Sequence, residues 1–204
     1  MFRKESLGLA LASLLALAAC NDHPAPVAES PFRPTASIQE LMQSIVDPSA
    51  DALWESVSST TTKDGVVDKV PQSDAEWIEL RHLAIRIAES GNLLSIPGRP
   101  IAHSGKQLED SHIKGILSVP EIQARLDQDP ALFRKLARDL QLAAETTLTA
   151  IDAKNIEGFL EAGSRIDQAC EQCHLHYWYP NDKRPTSVPV TAIKNPLLNS
   201  PAKP

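Results

Sequence analysis

Two cysteines, a histidine and the helical stripe that carries them place the tightest constraint on this chain. The run is Cys170-Glu171-Gln172-Cys173-His174. On a helix, residues three apart share a face, so both thiols point the same way and the next residue adds an imidazole beside them. C-x-x-C-H is the attachment signature of c-type haem. The thiols can add to the two vinyl groups, and the imidazole can ligate the iron from the same side. The rest of the chain is therefore expected to build a pocket against its last long helix.

Two other uses of such residues fit less well. A zinc site needs further ligands at suitable spacing, but no second cysteine pair exists and His82, His103 and His112 are scattered. A thioredoxin-type C-x-x-C follows a strand in a βαβ context, and no such pattern precedes Cys170.

The chain ends read differently from its middle. Arg3 and Lys4 precede an apolar stretch from Leu7 to Ala19, the layout of a secretory signal. That stretch is too short to span a bilayer core of ~30 Å. Leu17-Ala18-Ala19-Cys20 resembles the lipobox of bacterial lipoproteins, in which the chain is cut before a cysteine that becomes lipidated. The resemblance implies a signal peptide over 1–19 and a lipid on Cys20. Asn21, rather than Asp, after that cysteine leans toward the outer membrane. The expected location is the bacterial cell envelope, with the folded part facing the periplasm. Residues 20–36 contain Pro24, Pro26, Pro31 and Pro34 and read as a tether. Residues 181–204 read as a Pro-rich tail.

Removing residues 1–19 takes out Arg3, Lys4 and Glu5 and changes the formal charge from −6 to about −7. An acidic protein is a poor partner for nucleic acid. Residues 37–180 suffice for one domain. With Cys20 assigned to lipid and Cys170 and Cys173 to haem, no cysteine pair is left for a disulfide. No transmembrane helix is expected after the signal.

Period-two alternation is scarce, and the long periodic segments are helical, so the expected fold is all-α. A first helix starts near Thr35 or Ser37 and places Ile38, Leu41, Met42, Ile45 and Val46 on one stripe. Pro48 interrupts it, giving one kinked helix or two abutting pieces that end near Ser58. Ser73 and Glu76 form a capping box for a second helix, which Pro97 and Gly98 stop. A long connection over 96–119 follows, and Pro120 opens a short helix to Gln128. Asp129 caps a third long helix with Pro130 at its first position. A turn at Lys154-Asn155 leads to a fourth, which carries Ile166, Cys170, Cys173, His174 and Tyr177 on one stripe.

A four-helix chain with C-x-x-C-H near its C-terminal end resembles the class II c-type cytochromes, namely cytochrome c′ and its low-spin relatives of the cytochrome c556 type. The resemblance covers roughly residues 35–180. It implies an antiparallel four-helix bundle holding one covalent haem c and its iron, with Cys170 and Cys173 as thioether positions and His174 as the proximal ligand. It also implies one-electron transfer with periplasmic redox proteins and leaves a homodimer open.

In the low-spin relatives a Met on the first helix is the second axial ligand. Met42 is the one methionine left after the signal is removed, and it stands on the apolar stripe of the first helix. His82 and a vacant position are the alternatives. A vacant position gives a five-coordinate protein of the cytochrome c′ kind that binds NO or CO. Many low-spin relatives carry an Arg four residues before the Met; here that residue is Ile38. Arg81, Arg86 and Arg165 are candidates to meet haem propionates, with Arg165 foremost because it shares the helix of the cysteines. Tyr177 is expected at the haem edge, Trp178 and Tyr179 at the helix end, and His176 on the surface. No distal His–Arg pair of the peroxidase kind is visible, so no enzymatic activity is expected.

Overall fold

The computed structural model describes residues 31–182; the expected signal, Cys20, most of the tether and the tail from residue 183 lie outside the described residues. The chain runs α1 (Ile38–Leu41), a π-helical turn (Met42–Val46), α2 (Asp47–Glu55), β1 (Ser58–Thr62), β2 (Gly65–Lys69), α3 (Asp74–Leu94), α4 (Val119–Gln128), α5 (Pro130–Asp152) and α6 (Ile156–Tyr177). It is mostly helical, with one small sheet. Among the described residues, no helix is long and apolar enough to cross a membrane.

α1 opens on a capping box. The Ser37 Oγ accepts from the Glu40 N–H at 3.2 Å, and the Glu40 carboxylate accepts from the Ser37 N–H at 2.9 Å. The Pro48 problem is solved without a break. Proline has no N–H to donate one turn back, and its ring crowds the carbonyl there. The preceding turn widens instead, so that the Asp47 N–H reaches the Met42 carbonyl five residues earlier. One residue is absorbed, and the stripe changes phase: Ala50 and Leu53 are buried, whereas Trp54 stays 37% exposed. The Trp54 Nε1 still donates to the Gly163 carbonyl of α6 at 3.3 Å.

The hairpin was not anticipated. β1 and β2 pair antiparallel around the two residues Lys63 and Asp64, with Thr62 opposite Gly65. Gly65 takes φ +130°, a value that side-chain-bearing residues rarely adopt. Every strand residue is exposed, so the sequence has no buried face to advertise. The readable signal was chemical: a β-branched run on each side of Asp64-Gly65.

α3 starts on its capping box, with the Ser73 Oγ accepting from the Glu76 N–H at 3.3 Å and the Glu76 carboxylate from the Ser73 N–H at 2.8 Å. It buries Trp77, Leu80, Ala84, Ile87 and Leu94 and packs along α5. The approach is closest at Gly91, where a Cβ would lie 2.7 Å from the Ala137 carbonyl oxygen. α5 is capped by Asp129, which accepts from the Leu132 N–H at 2.9 Å. It packs next against α6, which Asn155 caps through the Gly158 N–H at 3.1 Å. α2 touches α3 and α6, and α4 rests on α5 and α6.

Most of the 96–119 connection has no helix or strand, yet it is anchored. Its Pro100 and Ile101 carbonyls accept from the Ile38 and Gln39 N–H groups at 2.8 and 3.0 Å. These are donors that the first turn of any helix leaves open. Its own Ile101, Ala102 and Leu108 are buried. Arg99, also buried, donates to the Leu93 carbonyl at 3.1 Å and to that of Ala36. The far end is tied to α6 by the Leu117 N–H, which donates to the Trp178 carbonyl at 2.8 Å.

Candidate functional site

A cavity of about 550 Å³ lies between these elements. The π turn and α2 contribute Met42, Val46, Asp47, Ala50 and Asp51; α5 contributes Phe133, Leu136, Ala137 and Leu140. α6 contributes Ala169, Cys170, Cys173, His174 and Tyr177, and the connection adds Ile101 and Glu109. Met42, Cys170, Cys173 and His174 are thus brought to one space. They come from segments more than a hundred residues apart, and the unbroken stripe of α6 supplies three of them.

Cys170, Cys173 and His174 are each partly buried. Cys170 and Cys173 carry free thiols. Burial pushes both up to about 12, and for Cys170 the nearby Cys173, Asp167 and Asp47 add to the effect. Both are therefore un-ionised at neutral pH. Burial pulls His174 below the usual imidazole value, partly offset by Asp47 and Glu171. A neutral imidazole has a free lone pair on one nitrogen. Asp47 is raised, first by loss of water and then by Asp51 and Glu109, against the pull of His174.

The end of α6 is held by a clamp. The His174 carbonyl accepts from the Trp178 N–H at 2.7 Å and from the Tyr179 N–H at 3.0 Å. The Tyr179 hydroxyl donates to the Glu171 carboxylate at 2.7 Å. The Tyr179 ring lies edge-on to the imidazole with centroids 5.9 Å apart, and the Trp178 ring is 6.3 Å away. Tyr177 packs edge-on to Phe133 at 5.4 Å, and burial pushes its hydroxyl up to about 12.

The other candidates fall elsewhere. His82 pairs with Glu79 on exposed α3 at 3.5 Å and does not line the cavity. Arg81 pairs with Asp152 at 2.8 Å and Arg165 with Glu161 at 2.6 Å, both outside the lining. Arg86 is exposed. Arg165, foremost of the three in the sequence reading, is exposed beside Ile166 on α6 and does not line the cavity. His176 also lies outside the lining, its carbonyl accepting from Arg125 at 3.3 Å. Among the described residues, no group of three or more His, Cys, Asp or Glu gathers as a protein-only metal site requires.

Some lining residues had no reading in the sequence. Gln39 and Asp47 stand one place off the expected stripe, and Glu109 sits in the connection. Periodicity could not find them, because the π turn and the connection's docking decide which of them face inward. No family model, curated protein or solved structure matches the chain.

Proposed function

We propose that the chain is a monohaem c-type cytochrome of the class II kind: an antiparallel four-helix bundle that carries single electrons between periplasmic redox proteins, anchored to the membrane by lipid on Cys20. The observation that carries this reading is the shared cavity. The two thiols and the imidazole of C-x-x-C-H line it together with Met42, the thioether expected as second axial ligand.

The residues suit the group. Cys170 and Cys173 are not cross-linked to each other and would hold haem c through thioether bonds. His174 offers a neutral nitrogen, and the clamp on its carbonyl holds the last turn of α6 in place. Met42 offers a soft donor that needs no deprotonation. Phe133, Leu136, Leu140 and Val46 give the space an apolar wall for the porphyrin. A haem held there by Cys170, Cys173, His174 and Met42 would supply reversible one-electron exchange between ferrous and ferric iron, and a thioether donor would raise its potential. His174 and Met42, both on helical backbone, would hold their donor atoms in place while the oxidation state changes.

Absorption spectra of the haem-loaded protein test the ligand set. The reduced protein should show a sharp low-spin α band. Met42→Ala should lose that band and gain rapid CO binding. A high-spin spectrum with CO or NO binding in the unaltered protein would instead select the five-coordinate, gas-binding alternative.

A further inference from the structure

A second space adjoins the first, and its meaning rests on the haem reading above. It is a groove of about 350 Å³ where α2, α5 and α6 meet, walled by Leu53, Trp54, Val57, Phe159, Leu160 and Gly163. Trp54 and Asp167 line both the groove and the larger cavity. The indole is fixed in place. Its Nε1 donates to the Gly163 carbonyl at 3.3 Å, and its ring lies where a Cβ at 163 would make ordinary contact. It is nevertheless 37% exposed, whereas Trp77 is buried. A fixed, partly exposed tryptophan beside an apolar groove suits the anchor of a protein contact.

The charge around it has one sign. Asp51, three residues before Trp54 on the same helix, and Asp167 are both exposed. Among the described residues neither stands in an ion pair. The larger cavity adds the exposed Asp47, Glu109 and Asp110, and no described Lys or Arg lines either space. Of the cations on neighbouring segments, Arg165 pairs with Glu161 at 2.6 Å and the Lys69 ammonium donates to the Glu55 carbonyl at 2.6 Å. Exposed carboxylates speed the arrival of a positively charged partner and fix how it docks. Electron transfer slows steeply as the gap between redox centres grows. A partner seated in the groove would touch two residues that also wall the haem cavity.

We propose that this groove, with Trp54 as its anchor and Asp51 and Asp167 beside it, is the docking surface for electron exchange. The partner it fits is a redox protein that presents an apolar side chain ringed by lysine or arginine.

A redox-inert complex of the same chemistry maps the surface: tris(phenanthroline)chromium(III), a paramagnetic trivalent cation with aromatic faces. In the reduced, haem-loaded full chain it should broaden the amide NMR signals of residues 51–57 and 160–167, and the anion hexacyanochromate(III) should leave them sharp. Trp54→Leu should weaken that broadening but not the broadening by hexaamminechromium(III), which has the charge without the rings. The second arm is kinetic. Tris(phenanthroline)cobalt(III) takes one electron from the reduced protein and leaves as cobalt(II). At low ionic strength Asp51→Asn should slow this step by about three- to fivefold after correction for each variant's measured potential, and added salt should erase the difference. Glu89→Gln, on α3 and outside both linings, changes the net charge equally and should leave the rate nearly unchanged. Broadening spread evenly over the acidic surface overturns the proposal, as does equal slowing by the two variants. The mapping arm uses the unaltered protein and stands even if a variant does not fold. A chain that matures without haem overturns both this inference and the reading beneath it, and intact mass separates that outcome from a coloured protein whose groove the cation ignores.

Discussion

Replacing Gly91 by alanine sets two known effects against each other. In a helix interior, Gly→Ala gains about 0.5–1 kcal/mol, because glycine loses more backbone freedom on folding. At Gly91 the new Cβ would lie 2.7 Å from the Ala137 carbonyl oxygen and 2.8 Å from the Gln141 Cβ. Neither neighbour is the flexible tip of a side chain, so α3 and α5 would have to move apart. Overpacking of this kind costs about 1–3 kcal/mol. The expected net effect is a loss of about 0–2.5 kcal/mol. Gly163 supplies the control. It too is buried within a helix, but a Cβ there meets only Trp54 ring atoms at 3.6 and 3.7 Å, which is ordinary contact. Gly163→Ala should therefore be neutral or stabilising by up to about 1 kcal/mol. The difference between the two variants isolates the steric part, about 1–3 kcal/mol. Urea unfolding of both variants and the parent, at unchanged m-value, measures it. If Gly91→Ala stabilises the protein as much as Gly163→Ala does, α3 and α5 are not in backbone contact at this point.

Three further outcomes follow from the site. In chain produced without haem attachment, the partly buried Cys170 and Cys173 should alkylate at pH 8 much more slowly in the folded protein than after unfolding in urea, since burial pushes both thiols up to about 12; equal rates in the folded and unfolded chain would contradict this. In the same haem-free form, the depressed His174 means that the unfolded chain binds the extra proton first, so stability should fall as pH drops below about 6.5 and level off beneath the folded value; His174→Gln should abolish this slope, and an unchanged slope would refute the assignment. Asp47, raised in the fold, has the opposite sign: stability should fall as pH rises from about 3.9 through its folded value, and Asp47→Asn should flatten that limb of the urea-midpoint profile.

Local chemistry made much of the fold legible. Ser73 with Glu76, and Asp129 before Pro130, mark helix starts through bonds that depend only on neighbours in sequence, and the structure has both. The stripe of α6 likewise needs only the helical period to place Cys170, Cys173 and His174 together. What escaped depends on longer reach. A proline at position 48 signals a disturbance, but nothing local says whether the helix will kink, break or widen into a π turn. The hairpin buries neither face, so hydropathy is silent about it. Gln39 and Glu109 become cavity residues because a connection from 60 to 80 residues downstream folds back over α1. That no Lys or Arg among the described residues lines the cavity was partly hidden: Arg81 finds Asp152 only in three dimensions, whereas the partner of Arg165, Glu161, stands one turn back on its own helix.

Intact mass and thiol titration, on protein produced with the bacterial cytochrome-assembly machinery, test the central claim most directly. The account predicts a red protein heavier than its polypeptide by one haem, with neither Cys170 nor Cys173 titratable after unfolding. A colourless protein of polypeptide mass with both thiols free would contradict it.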